Sequence, residues 1–93
     1  IPIGKYGRMR RCYLKEHRPG LYSSLIFREK LYPHLLKIDR VARERMDVML
    51  PRMIDAAGVT EKLKVRDPMR WVGVINALKA QVEEVLLQEL IFQ

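Results

Sequence analysis

Apolar residues in this chain recur at steps of three and four, never in the strict alternation of a half-buried strand. That periodicity constrains the fold more than any other feature. From Tyr32 onward, Leu35, Ile38, Ala42, Met46, Met49, Met53 and Ala56 follow it without a break. Near the end, Trp71, Ile75, Leu78, Val82, Val85, Leu86 and Leu90 do the same. There is no Asn-Gly or Asp-Gly hairpin signal. The reading is all-α: two long antiparallel helices preceded by a shorter, basic helical pair.

Proline and glycine set the boundaries. A first helix is predicted from Tyr6 to His17, stopping before Pro19-Gly20, because the residue before proline avoids helical geometry. A second, short helix is predicted from Pro19 to Arg28, burying Leu21, Tyr22, Leu25 and Ile26. The third spans Tyr32 to Ala57, with Gly58 placed for a C-terminal cap and Pro51 placed to kink or split it. Thr60 is a candidate cap for a short turn of helix. Asp67-Pro68 is the clearest start, and opens a helix running to Phe92 in which Gly73 would let another helix approach. Asp39, Arg43 and Asp47 fall on the expected outer face, as solvated surface with weak ion pairs. With 93 residues there is room for one core, so the chain reads as a single domain, 1–93, divided into a basic segment 1–30 and a helical hairpin 31–93. The hairpin's apolar stripes would let two copies pair as a four-helix bundle.

Charge is distributed unevenly. The net charge is +7. Residues 1–30 carry Lys5, Arg8, Arg10, Arg11, Lys15, Arg18, Arg28 and Lys30 against Glu16 and Glu29, so nearly all the excess lies in one third of the chain. On a helix of about 100° per residue, Arg8, Arg11, Lys15 and Arg18 fall within roughly 80° of one another, opposite Tyr6, Met9 and Tyr13. Arg10 falls beside the apolar side and is expected to snorkel outward. Such a face suits a polyanion, nucleic acid first. A membrane surface, an acidic protein or plain solubility would use the same charges. The contact set is therefore Arg8, Arg11, Lys15 and Arg18, with Arg10, Arg28 and Lys30 as secondary members. The first two helices form a weak helix-turn-helix candidate, disfavoured by Pro19 at the turn and the short second helix.

Signals for catalysis are poor. There is no glycine-rich phosphate loop and no HExxH, and Cys12, His17 and His34 form no ligand cluster, so neither metal nor cofactor is expected. Ser23-Ser24 lacks a partnering base, Glu83-Glu84 reads as exposed helix surface, and Cys12 as a small half-buried side chain. The expectation is a non-enzymatic protein. No apolar run spans a bilayer and no signal-peptide pattern appears, which implies a cytoplasmic protein without a membrane partner.

Several stretches carry a resemblance. Pro2-Ile3-Gly4-Lys5-Tyr6-Gly7, Tyr13-Leu14-Lys15-Glu16-His17-Arg18, Gly20-Leu21-Tyr22-Ser23-Ser24-Leu25 and Ile38-Asp39-Arg40 resemble the transposon-encoded TnpV proteins. So do Gly58-Val59-Thr60-Glu61-Lys62-Leu63-Lys64, Trp71-Val72-Gly73 and Glu89-Leu90-Ile91. The resemblance runs in order along the whole chain. It implies a small accessory protein of a mobile bacterial element, likened to an excisionase, that binds DNA beside a separate recombinase. It brings no catalytic residues. Related sequences usually carry an acidic and hydrophobic segment before Pro-Ile-Gly, so the chain, opening on Ile1, is expected to lack a native N-terminal segment. Where relatives often read Ser-Gly-Lys-Leu, this chain reads Arg28-Glu29-Lys30-Leu31, which predicts a different turn.

Overall fold

The structure, a computed structural model, describes residues 2–93; Ile1 lies outside them. Every regular element among the described residues is helical. They are α1 (Lys5–His17), α2 (Pro19–Phe27), α3 (Leu31–Ala56), α4 (Glu61–Arg66) and α5 (Pro68–Leu86), the last running into a π turn (Leu87–Ile91). Pro51 lies within a continuous α3, so the helix is not split. The sequence-predicted helix ends hold to within a residue or two, except that the last helix widens into the π turn, where the Phe92 N–H donates to the Leu87 carbonyl at 2.8 Å.

Two helices end in the same way. At the end of α3, Gly58 adopts φ 71°, its N–H donates to Asp55 O and the Val59 N–H to Ile54 O. That is the Schellman arrangement, in which a left-handed residue lets the chain satisfy the last carbonyls. At the end of α2 the Glu29 N–H donates to Ile26 O and the Lys30 N–H to Leu25 O, with Glu29 at φ 58°. The turn expected to differ from Ser-Gly-Lys-Leu keeps the glycine-type geometry with glutamate in the strained place. At the start of α5 the Asp67 carboxylate accepts the Arg70 N–H at 3.1 Å, as the sequence predicts. Thr60 stands at the N-cap of α4, but its side chain makes no cap bond.

The core is narrow. Tyr6 of α1, Ala42 of α3 and Ile91 of the π turn form one cluster, with Met9, Tyr13, Ile38, Leu87 and Leu90 around it. Met46 of α3 packs with Val82 and Leu86 of α5 in a second, flanked by Met49, Leu50 and Met53. Arg45 of α3 pairs with Glu89 at 2.7 Å. Leu14, Leu35, Val82, Leu86 and Ile91 are fully enclosed. Each such side chain contributes about 1.5–3 kcal/mol. The molecule measures 55 × 24 × 19 Å, with a radius of gyration of 16.7 Å. A compact chain of this length would have about 12 Å. The elongation follows from α3, whose 26 residues span about 39 Å.

Two packing expectations need correction. None of Leu21, Tyr22, Leu25 and Ile26 is fully buried: α2 lies against α1 and barely reaches α3, which leaves the first three half-buried and Ile26 exposed. Gly73 faces open space and receives no helix.

Candidate nucleic-acid interface

The basic face of α1 is oriented by what anchors the helix beneath it. Gly4, at the N-cap of α1, offers no side-chain acceptor, so the first N–H groups of the helix need one from elsewhere. Asp39 of α3 supplies it: Oδ1 accepts the Tyr6 N–H at 3.1 Å and the Gly7 N–H at 3.2 Å. Its other oxygen accepts the Arg43 Nε at 2.8 Å, and Arg43 Nη2 pairs with it too. Burial pushes the Asp39 carboxyl upward, but Arg43 and the two N–H donors outweigh it, and the net shift is below the ordinary carboxylate value. A carboxylate at a helix N-terminus also meets the positive end of the helix dipole.

This overturns the outer-face reading of Asp39, which is 3% exposed; Arg43 and Asp47 do remain at the surface. Close approach makes the arrangement possible. A Cβ on Gly4 would lie 2.6 Å from the Asp39 oxygens, and one on Gly7 would meet Ile3 and stand 3.0 Å from the Leu35 carbonyl. The spacing Gly4-x-x-Gly7 is thus the imprint of α1 lying directly on α3.

Arg10 is the second anchor. It is 6% exposed and does not snorkel. Its Nη1 donates to Ile91 O at 2.7 Å and Gln93 O at 2.9 Å, and its Nε to His34 Nε2 at 3.2 Å. The carbonyls at the end of the π turn lack helical donors, and a buried guanidinium supplies them. Burial, then the charge of Arg18, pushes the Arg10 guanidinium below its ordinary value. Arg10 is therefore corrected from a surface contact to a clamp joining α1, α3 and the chain's last residues. His34 takes a structural role, and burial followed by the charges of Arg10 and Lys37 lowers its imidazole below the ordinary value. Its neighbours are cations, not carboxylates.

The remaining predicted contacts stand outward. Arg8, Arg11, Lys15 and Arg18 are exposed along α1 and at its end; Arg28 and Lys30 are exposed beyond α2. None of these six forms an ion pair with a described residue. Arg8 donates to the Ile3 carbonyl at 2.8 Å, and Lys15 lies 5.8 Å from the centre of the Tyr22 ring. Lys5 behaves differently. It pairs with Glu83 at 2.9 Å, and that bond raises its ammonium above the ordinary value. Glu83 also accepts from the Tyr6 hydroxyl at 3.5 Å, so it is a half-buried cross-link, not the exposed surface expected of it. An open groove of about 590 Å³ runs along α1, with Arg8 and Arg11 on it and Tyr13, His17 and Phe92 in its wall. Cys12 lines it and is exposed, not half-buried.

Sequence reasoning missed Asp39 and the role of Arg10. The clue to the first was Gly4, a helix start with no capping side chain. The clue to the second was an arginine on the apolar side of an amphipathic helix.

No group of three or more His, Cys, Asp or Glu among the described residues could hold a metal ion, and none of their helices is long and apolar enough to cross a membrane. No curated protein and no solved structure matches the chain. The family model described as transposon-encoded protein TnpV matches residues 1–91. With a match over almost its full length, the chain belongs to the family of transposon-encoded TnpV proteins.

Proposed function

We propose that this chain is a small DNA-binding accessory protein of its transposon, an excisionase-like helper to a separate recombinase, with no catalytic activity of its own. Arg8, Arg11, Lys15, Arg18, Arg28 and Lys30 contact backbone phosphates. The observation that carries this reading is that none of the six pairs with a carboxylate among the described residues, beside an α1 fixed from beneath by Asp39 and Arg10. Guanidinium groups present planar, paired donors that match phosphate oxygens. Phosphate contacts set position and orientation without reading sequence, so selectivity for a site comes from the partner recombinase or from DNA shape. The protein works in the cytoplasm of the bacterial host. A gel shift on duplexes from the ends of the parent element, with unrelated duplex as competitor, tests the proposal. Retardation that competitor removes at raised salt is expected; no retardation at low salt refutes it.

A second reading rests on the apolar side chains left outside the narrow core. Met69 is 83% exposed, and Val48, Val72 and Val85 on α3 and α5 are also exposed. In this reading α3 and α5 form an antiparallel hairpin that meets a second copy as a four-helix bundle. The two readings are compatible, since many DNA-binding proteins are dimers. Light scattering decides it: a mass near twice 11.0 kDa supports pairing, and 11.0 kDa at high concentration refutes it.

A further inference from the structure

We propose that Lys62, Arg66 and Arg70, at the joint between α4 and α5, form a second phosphate-contact site for the DNA backbone. The proposal rests on the DNA-binding reading above. Lys62 and Arg66 are one helical turn apart on α4, and so share a face. Arg70 follows in the first turn of α5, after a joint of one residue, Asp67. The three cations line one surface cavity of about 500 Å³ together with Thr60, Leu63 and Asp67.

The cations of this cavity are unmatched, whereas four others are held by carboxylates: Lys5 by Glu83, Arg40 by Glu44, Arg43 by Asp39 and Arg45 by Glu89. Lys62, Arg66 and Arg70 form no ion pair with any described residue. The single carboxylate of the cavity, Asp67, is occupied as the cap of α5 by the Arg70 N–H. Over residues 60–70, four cations (Lys62, Lys64, Arg66, Arg70) stand against Glu61 and Asp67. The Thr60 hydroxyl, which makes no cap bond, adds a neutral donor at the rim.

The site is not an extension of the α1 face. Gly7 and Arg10 of α1 meet Leu35 and His34 near the start of α3, whereas α4 follows its end. From Asp39, where α1 is anchored, to the end of α3 at Ala56 is about 26 Å along the helix. A membrane surface would also attract cations beside the exposed Val65 and Met69. However, α4 has six residues, too few for the long apolar face of an interfacial helix.

The test is fluorescence anisotropy on a duplex of about 20 base pairs over a salt series. Each phosphate contact adds about 0.9 to the slope of log affinity against log salt. The variant K62Q/R66Q/R70Q is expected to lose about 2–3 from that slope on any sequence. The single variants each lose about 0.9 and secure the result if the triple variant folds poorly. R66K/R70K keeps its charge and its slope. An unchanged slope in the triple variant, with R11Q/K15Q flattened, overturns the second site and leaves the first standing. Absence of salt-dependent binding by the wild-type chain overturns both. Loss of binding to anionic phosphatidylserine vesicles in the triple variant, with the DNA slope unchanged, also overturns the proposal in favour of a lipid surface.

Discussion

Replacing Asp39 by alanine is the most informative single perturbation of the fold. The carboxylate is buried and accepts the Tyr6 and Gly7 N–H groups together with Arg43. Removing it leaves two enclosed donors unsatisfied, at about 1–3 kcal/mol each. It also takes a negative charge from the N-terminus of α1, worth about 0.3–1 kcal/mol. The Arg43 side chain is largely exposed and rehydrates, so its loss adds little. The expected cost is about 3–5 kcal/mol, most of the stability of a small domain with a narrow core. Asp39→Asn keeps an acceptor oxygen but loses the charge, and should cost about 1–2 kcal/mol. Urea unfolding followed by circular dichroism measures both.

The pH dependence supplies an independent check. The folded carboxyl titrates below its usual 3.8, so the unfolded chain binds more protons at mildly acid pH. The stabilising contribution is fully present above about pH 3.8 and lost as pH falls through the lower, folded value. The advantage of wild type over Asp39→Asn should therefore be constant above pH 4 and shrink below it. A cost under about 1 kcal/mol for Asp39→Ala, or an advantage that grows as pH falls below 4, would refute the capping argument.

Three further outcomes follow from the same geometry. His34 accepts from Arg10, so its Nε2 must be unprotonated; its lowered folded value means stability is complete above about pH 6.5 and falls as pH drops below that, and His34→Gln should abolish this loss in thermal unfolding. Glu29 occupies a left-handed position, so Glu29→Gly should raise stability by about 1 kcal/mol, and a loss would contradict the strain read there. Gly7→Ala should destabilise by about 1–3 kcal/mol against Ile3 and the Leu35 carbonyl, whereas Gly73→Ala, in open space, should stabilise by about 0.5–1 kcal/mol; equal signs would refute the close-approach argument.

The all-helical class and the element boundaries were legible because periodicity and punctuation are local. Pro19, Gly58 and Asp67-Pro68 mark ends that the chain obeys whatever it packs against. What was not legible depends on partners distant in sequence. Asp39 looked like surface because its spacing from Arg43 matches an exposed ion pair, while the groups that bury it lie 32 and 33 residues away. Arg10 bonds to carbonyls 81 and 83 residues along the chain, which no local pattern displays. The apolar residues of α2 promised burial that its position, against α1 and barely reaching α3, does not provide. Its Phe27 is 90% exposed. Of the predicted contact residues, Arg8, Arg11, Lys15, Arg18, Arg28 and Lys30 stand outward, and Arg10 alone is drawn inward.

The most direct test of the proposed function is the salt dependence of DNA affinity for the wild-type chain and for Arg11→Gln/Lys15→Gln. Both residues are exposed and neither forms an ion pair with a described residue, so the double variant should fold with unchanged helicity. Phosphate contact by the two predicts a slope flattened by about 1.8, to the same extent on element-end and unrelated duplexes. A slope identical to that of the wild type would contradict the account.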